Sequence, residues 1–301
     1  MRQTGRVARD VQEVEGVPSA TPVAGPTIVR RQLGRRLRRL RDLAGTSVDE
    51  VVAHRQLGIS RAKLFKIEAG RHPVKPQDVA VLCQHYRASH EETDALTALA
   101  LATQGDSWWH VYGEDGAVPE WFSLYLDVEP AASTIRTYEA ELIPGLLQIP
   151  EYAREVYRAR NPDDAPGEIE RRVKLRMERQ AILTRTQPAP PRLHVVLNEA
   201  AVLREVGGPG VMAEQVDRLR AAAQRPNITI DVLPLKAGAH AAMESAFVIL
   251  DFPEPDEDPS VVYIDTPSSA AYLQKTVDLH RYEAIFGYVA AQGIPILEYP
   301  R

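Results

Sequence analysis

Two short helical segments, each opened by a serine and closed by a glycine, constrain the fold of this chain more than any other feature. Ser47 and Glu50 form the capping-box pattern that begins a helix, and Gly58 interrupts the helical pattern that follows. Ser60 is placed to cap the next segment, which ends at Gly70. The sequence therefore predicts a helix, a tight turn and a second helix in this segment.

Three further helices are predicted around this pair. Leu33 and Leu37 lie at helical spacing within 28–44, with arginines on the other faces. Pro76 is a typical first residue of a fourth helix, and an alanine- and leucine-rich fifth helix is predicted over 91–103. These five helices form an all-α domain.

The chain divides into four predicted segments by composition and periodicity. They are a flexible arm over 1–26, a helix-turn-helix domain over 27–104, an aromatic-rich connector over 105–128 and a C-terminal domain over 129–301.

The C-terminal domain is predicted to be α+β. Residues 129–186 carry mainly helical patterns, including a predicted helix over 139–148. Apolar and β-branched runs between Gly- and Pro-bearing turns then predict four strands, over 193–197, 228–233, 246–252 and 261–265. We expect a helical part and a small, largely antiparallel sheet.

The charge of the chain is unevenly distributed. Between Ile28 and Lys75 there are thirteen Lys or Arg residues and four Asp or Glu residues, a net charge of +9 in a chain whose total is −5. A basic block on an acidic body is typical of a domain that faces nucleic acid. The alternative is a solvated arginine-rich surface, since thirty of the 36 basic residues are arginine.

The second helix of the pair has the composition of a DNA-recognition helix. Leu64 and Ile67 can form its buried face, so its basic residues point elsewhere. Short and basic side chains at the leading end suit contacts to base edges and phosphates of double-stranded DNA. The predicted DNA-binding residues are Ser60, Arg61, Ala62, Lys63, Lys66 and Arg71. An ordinary amphipathic surface helix is the alternative.

Arg41, Gly45, Leu64, Ile67 and Glu68 occur at spacings that resemble the helix-turn-helix of lambda-repressor/Cro-like (Xre-type) regulators. The resemblance implies a structural ion pair between Glu68 and Arg41. In this chain Gly45 and Gly58 are thirteen positions apart, which is a wider spacing than the family has. Helix 2 or its turn is therefore about half a helical turn longer than in the family.

Several motifs after the helix-turn-helix resemble the actinobacterial WhiJ-like regulators, in which an Xre-type module precedes a large C-terminal domain of unknown function. The motifs are Glu129-x2-Ala132-x2-Ile135-Arg136-x-Tyr138, Ile143-Pro144-Gly145-Leu146-Leu147-Gln148, Tyr152-Ala153-Arg154, Trp108-Trp109 with Trp121-Phe122, and Gly238-Ala239-His240. The resemblance implies a developmental or antibiotic-linked regulator, often paired with a small partner protein in an antitoxin-like arrangement.

A ligand or partner site is predicted where aromatic and small residues cluster. Its candidates are Trp108, Trp109, Trp121, Phe122 and His240. The alternative for the aromatic residues is a core that seats one domain on the other, and the alternative for the loop around His240 is a flexible connection.

No spacing of a nucleophile, base and orienting group is present, so we expect no enzyme activity. The scattered histidines and the single cysteine, Cys83, predict no metal site, no cofactor and no disulfide. Without a long apolar run or a signal peptide, we expect a cytoplasmic protein that does not enter the membrane.

Two hypotheses of function remain open. One is a homodimeric, sequence-specific transcriptional regulator whose C-terminal domain senses a small molecule or a partner protein. The other is an antitoxin-like interaction module that binds a small partner protein, with DNA binding as autoregulation.

Overall fold

The computed structural model describes residues 26–54, 57–103, 120–253 and 258–300, together with Tyr112, Val118 and Pro255. The predicted arm over 1–26 lies outside this description except for its last residue.

Five helices form the N-terminal domain. They are α1 (Pro26–Leu43), α2 (Val48–Ala53), α3 (Arg61–Glu68), α4 (Pro76–His85) and α5 (His90–Ala102). The side chain of Ser47 accepts a hydrogen bond from the Glu50 amide and Glu50 caps the Ser47 amide in return, while Ser60 accepts from the Lys63 amide. Helix α2 ends at Ala53, and residues 55 and 56, which precede Gly58, lie outside the described residues.

A single apolar core holds these helices together. It takes residues from α1, α2, α3, α4 and α5, including Leu33, Leu37, Val51, Leu64, Ile67, Val79, Leu82 and Leu96. Because α2 is only six residues long, its position depends on this packing more than on its own helical propensity.

The backbones of α1 and α3 touch at two glycines. A Cβ at Gly34 would lie 2.2 Å from the carbonyl oxygen of Ile67, and a Cβ at Gly70 would lie 2.6 Å from Cα of Arg31. Gly70 also has a φ of +67°, which a side chain disfavours. The two helices therefore approach each other as closely as backbones allow.

A buried ion pair joins the same two helices. Nε of Arg41 donates to Oε1 of Glu68 at 2.6 Å, and Nη2 donates to Oε2 at 3.1 Å. Glu68 is 6% exposed and Arg41 is 9% exposed. The structure thus brings together the two residues that the family resemblance paired.

The C-terminal part begins with α6 (Glu120–Val128) and contains a seven-stranded sheet. The remaining helices are α7 (Pro150–Arg160), α8 (Pro166–Arg179), α9 (Glu199–Leu203), α10 (Pro209–Ala223) and α11 (Thr276–Ala290). The strands are β1 (Thr134–Glu139), β2 (Arg192–Asn198), β3 (Ile228–Leu233), β4 (Phe247–Asp251), β5 (Val261–Thr266), β6 (Ser269–Leu273) and β7 (Ile294–Pro295).

The strand order is β6-β5-β4-β1-β2-β3-β7, with β1, β2 and β3 parallel and the other neighbours antiparallel. Helices α7 and α10 pack on one face and α11 packs on the other. The α+β prediction is confirmed, and the sheet is largely antiparallel as expected, with four antiparallel pairs and two parallel pairs. The sheet is larger than expected, with seven strands. Parallel neighbours need crossover connections, which the helices between β1, β2 and β3 provide.

The predicted helix over 139–148 is wrong. Residue 139 ends β1, and a single 3-10 turn at Gly145–Leu147 replaces the rest of the predicted helix. The physical reason is Pro144, which disfavours helical backbone at Ile143. The predicted connector over 105–128 contains α6, which contacts both α1 and the sheet domain, and the boundary at 128 stays a prediction.

Replacement of Gly34 by alanine tests the close approach of α1 to α3. Alanine normally stabilises a helix interior by about 1 kcal/mol relative to glycine. Here we expect the midpoint of thermal unfolding to fall and the free energy of unfolding to decrease by about 1–3 kcal/mol, because the new Cβ has no room. Gly287→Ala in α11 is the control, since nothing lies within 4 Å of its Cβ position. A Gly34→Ala protein as stable as the parent would contradict the packing.

Glu68→Ala tests the buried ion pair. It leaves the Arg41 guanidinium buried without its carboxylate, and we expect a loss of about 3–5 kcal/mol in the free energy of unfolding measured by urea titration. Asp49→Ala is the control, because the Asp49–Arg61 pair is exposed and its loss should cost at most about 1 kcal/mol. Equal effects of the two substitutions would show that the buried pair is not a structural link.

Candidate nucleic-acid interface

Helix α3 turns one face into the core and leaves the other open. Leu64 and Ile67 are each 1% exposed, and Glu68 is held by Arg41. The outward face carries Arg61, Ala62, Phe65, Lys66 and Ala69, all exposed. A stripe with this three- and four-residue spacing lies along one side of a helix, as the major groove requires.

Phe65 is the residue on this face that the sequence analysis did not select. Its side chain is 52% exposed, between Ala62 and Lys66 on the outward stripe. In the sequence it stands beside Leu64, and an apolar residue next to a core position is easily assigned to the core. Only the packing of α3 shows which of the two points outward.

Arg61 is held by a partner across the turn. Its Nη2 forms an ion pair with Asp49, the second residue of α2, and both side chains are more than half exposed. The contact orients the guanidinium at the start of α3 and leaves further N–H donors for another acceptor. Lys63, by contrast, is half-buried beside the Ser60 cap.

Arg71 does not lie on the outward face of α3 with the other predicted DNA-binding residues. It follows the close turn at Gly70 and lines a cavity of about 430 Å³ between the two domains, which we call the seam cavity. Arginines of α1 line the same cavity, together with Leu124, Pro259 and Gln274 of the C-terminal part. Of the six predicted residues, three therefore lie on the outward face of α3, Ser60 and Lys63 lie at its capped start, and Arg71 lies at the seam cavity.

The predicted ligand or partner site is only partly described. Trp108 and Trp109 lie outside the described residues, and so does the side chain of Trp121. Phe122 stacks on Tyr125 with 5.4 Å between ring centroids, and the guanidinium of Arg179 lies 5.1 Å from the Phe122 ring. Phe122 thus packs with the core of the sheet domain.

His240 lies on the other face of the sheet from Phe122. Its ring meets the edge of Tyr138 at 5.5 Å, and its Nε2 is 3.4 Å from the Tyr138 hydroxyl. Burial lowers the pKa of His240 below its ordinary value. The structure does not bring His240 and Phe122 into one site.

Two further features, membrane-crossing helices and metal-binding clusters, are absent from the described residues. None of the described helices combines the length and apolar character that a membrane crossing needs. Within the same part of the chain, no three His, Cys, Asp or Glu side chains are grouped so as to hold a metal ion.

Comparison with known protein families gives two matches. Residues 32–96 match the model of a helix-turn-helix domain, which runs from within α1 through α4 to the middle of α5. Residues 122–296 match the model described as a domain of unknown function (DUF5753). No curated protein and no solved structure matches the chain. Since the second model covers more than half of the sequence, the chain belongs to the DUF5753 family, with a helix-turn-helix domain at its N-terminal side.

Proposed function

We propose that this protein is a sequence-specific, DNA-binding transcriptional regulator whose C-terminal domain dimerises and receives an input signal. The observation that carries the proposal is the outward face of α3, where Arg61, Ala62, Phe65 and Lys66 are exposed on a helix whose opposite face is locked into the core. The helix-turn-helix match over 32–96 indicates a DNA-binding regulator.

Each exposed residue of α3 suits a different contact in the major groove. The Arg61 guanidinium can donate to guanine or to a phosphate, and its pairing with Asp49 orients it beforehand. Phe65 suits the methyl group of thymine, which is the apolar feature of the major groove. Lys66 places a positive charge one residue further on, where a phosphate or base acceptor can meet it.

The capped start of α3 supports this orientation. Ser60 caps the helix through the Lys63 amide, so the first turn is rigid before DNA arrives. The helix also presents its positive dipole end in this region, which favours a nearby phosphate.

We propose a homodimer because one helix-turn-helix contacts about half of a typical operator. The N-terminal block of net charge +9 repels its copy, whereas the rest of the chain carries −14 and most of the apolar residues. The −14 is spread over a much longer stretch of chain than the +9, and the apolar residues there can be buried between two copies, so we propose the C-terminal domain as the interface.

The role of the C-terminal domain is proposed as sensing rather than catalysis. The motif resemblance to WhiJ-like regulators supports a regulatory protein of that group. Binding of a small partner protein, as in an antitoxin, is the alternative hypothesis. Recovery of one small protein in stoichiometric amount with the native chain would favour that alternative.

The proposed base contacts are tested with a selected operator and two variants of α3. Phe65→Ala should lower discrimination at one thymine position by about 1 kcal/mol while the dependence of affinity on salt stays unchanged. Lys66→Ala should weaken binding to all sequences and lower the slope of log affinity against log salt by about one. Lys236→Ala removes a lysine from the C-terminal domain and is the control. Binding that is insensitive to salt and to both α3 variants would contradict the proposal.

The proposed assembly is tested by sedimentation equilibrium at micromolar concentration. We expect a molar mass twice the 33.4 kDa of one chain. Such a dimer would place its two helix-turn-helix domains on a pseudo-palindromic site. A monomer that binds single half-sites would contradict the dimer and leave DNA binding itself in place.

A further inference from the structure

The seam cavity is lined by an excess of arginine. Arg30 and Arg31 come from one turn of α1, Arg35 comes from the next turn, and Arg71 follows α3. Its volume of about 430 Å³ lies in the range of small-molecule sites. The C-terminal part contributes Leu124, Pro259 and Gln274, so the cavity is walled by both domains.

Among the described residues, two carboxylates face these arginines, and each already has a partner. The Glu68 carboxylate accepts two hydrogen bonds from the Arg41 guanidinium. Asp258 forms an ion pair with Arg35, with Nη2 and Oδ1 2.6 Å apart. The Asp258 side chain is only 4% exposed, and burial raises its pKa above the ordinary value. Counted over the lining residues that the structure describes, the cavity therefore keeps a net positive charge.

The arginines are held together by backbone packing as well as by Asp258. Gly70 packs its backbone against Cα of Arg31, and this places the backbone of Arg71, the next residue, near Arg31. Burial lowers the pKa of Arg31 below its ordinary value, and the positive charges of Arg35 and Arg71 act in the same direction against the attraction of Asp258. An anion in the cavity would relieve this repulsion.

Arg35 also has an unused donor. Its Nε is buried and has no hydrogen-bond acceptor among the residues that the structure describes. Nη2 of Arg35 and Oδ2 of Asp258 also lack a hydrogen bond among the described residues, so this pair is a charge contact and not a closed fork. Buried guanidinium N–H groups in folded proteins almost always meet an acceptor, and a bound anion would supply one here. Nε lies on the same edge of the guanidinium as Nη2, so an anion that binds both nitrogens takes the place of the Asp258 carboxylate.

We infer that the seam cavity binds a phosphorylated small molecule, whose phosphate is held by Arg31, Arg35 and Arg71. The inference deepens the proposed function, because it names the chemical class of the input and the place where it enters. A phosphate carries more negative charge and more acceptor oxygens than a carboxylate, so it competes with Asp258 for Arg35. Binding thereby exchanges a contact between the two domains for a contact with the ligand.

This exchange gives the ligand a physical route to DNA binding. The Arg35–Asp258 pair joins α1 of the helix-turn-helix domain to the C-terminal part. A ligand that replaces this pair stabilises a different arrangement of the domains, and differential affinity for two arrangements is what regulation requires.

The test uses inorganic pyrophosphate as the probe and the full-length, DNA-free protein. Isothermal titration calorimetry at matched ionic strength should give saturable binding of one pyrophosphate per chain. Arg31→Gln and Arg71→Gln should each weaken binding by about tenfold or more, because each removes a charge-assisted contact. Asp258→Asn should tighten binding, since it removes the competing carboxylate without a change of shape.

Arg38→Gln is the matched control, because it makes the same change on the same helix at an exposed position that pairs with Asp42. It should leave the affinity within about twofold of the parent protein. Arg71 is exposed, so its variant is expected to fold even if the substitution of Arg31 or Asp258 disturbs the seam. Circular dichroism of each variant checks this.

Three outcomes would overturn the inference. The first is the absence of saturable pyrophosphate binding, and the second is a loss of affinity in Arg38→Gln equal to that in Arg31→Gln and Arg71→Gln. The third is a folded Asp258→Asn protein that binds pyrophosphate more weakly than the parent protein. If pyrophosphate does not bind but Arg71→Gln lowers both DNA affinity and its salt dependence, the cavity contacts the DNA backbone and the proposed function stands. If pyrophosphate binds but no operator is found, the site stands and the proposed function fails.

Discussion

The contact between the backbones of α1 and α3 is the constraint on which the rest of the N-terminal domain depends. It exists because Gly34 and Gly70 lack a Cβ where the other helix or its turn approaches. At this separation Arg41 reaches Glu68 with both nitrogens of its fork. The same contact decides which side of α3 is buried, and therefore which side chains remain for DNA. It also places Arg31 beside Arg71 at the seam.

Three ion pairs among the described residues act in two different ways. Arg41–Glu68 and Arg179–Glu129 are buried bidentate pairs that join segments 27 and 50 residues apart. Such pairs add little net stability over apolar residues, but the removal of one partner is costly, so they specify an arrangement. The Arg35–Asp258 pair joins two domains and leaves Nε of Arg35 without an acceptor among the described residues. It is the pair that a ligand can most readily replace.

The sheet domain shows how connections decide strand direction. Helices α7 and α8 lie between β1 and β2, and α9 and α10 lie between β2 and β3, so these strands can run parallel. Strands β4, β5 and β6 follow without a long helix and pair antiparallel. Because α7 and α10 cover one face and α11 the other, the apolar residues of β2 form a nearly continuous run.

The sequence by itself determined the helices of the N-terminal domain and the position of α3, because Ser47, Ser60 and Gly70 act on backbone within a few residues. It also indicated the partnership of Arg41 and Glu68 through the family resemblance. Only the tertiary structure decided that residues 134–139 form a central strand, that Phe65 faces outward and that Arg71 lies at the seam. The physical reason is the range of the interactions. Caps and turns are local, whereas strand pairing, the outward face of a helix and a cavity between domains depend on residues far apart in the chain.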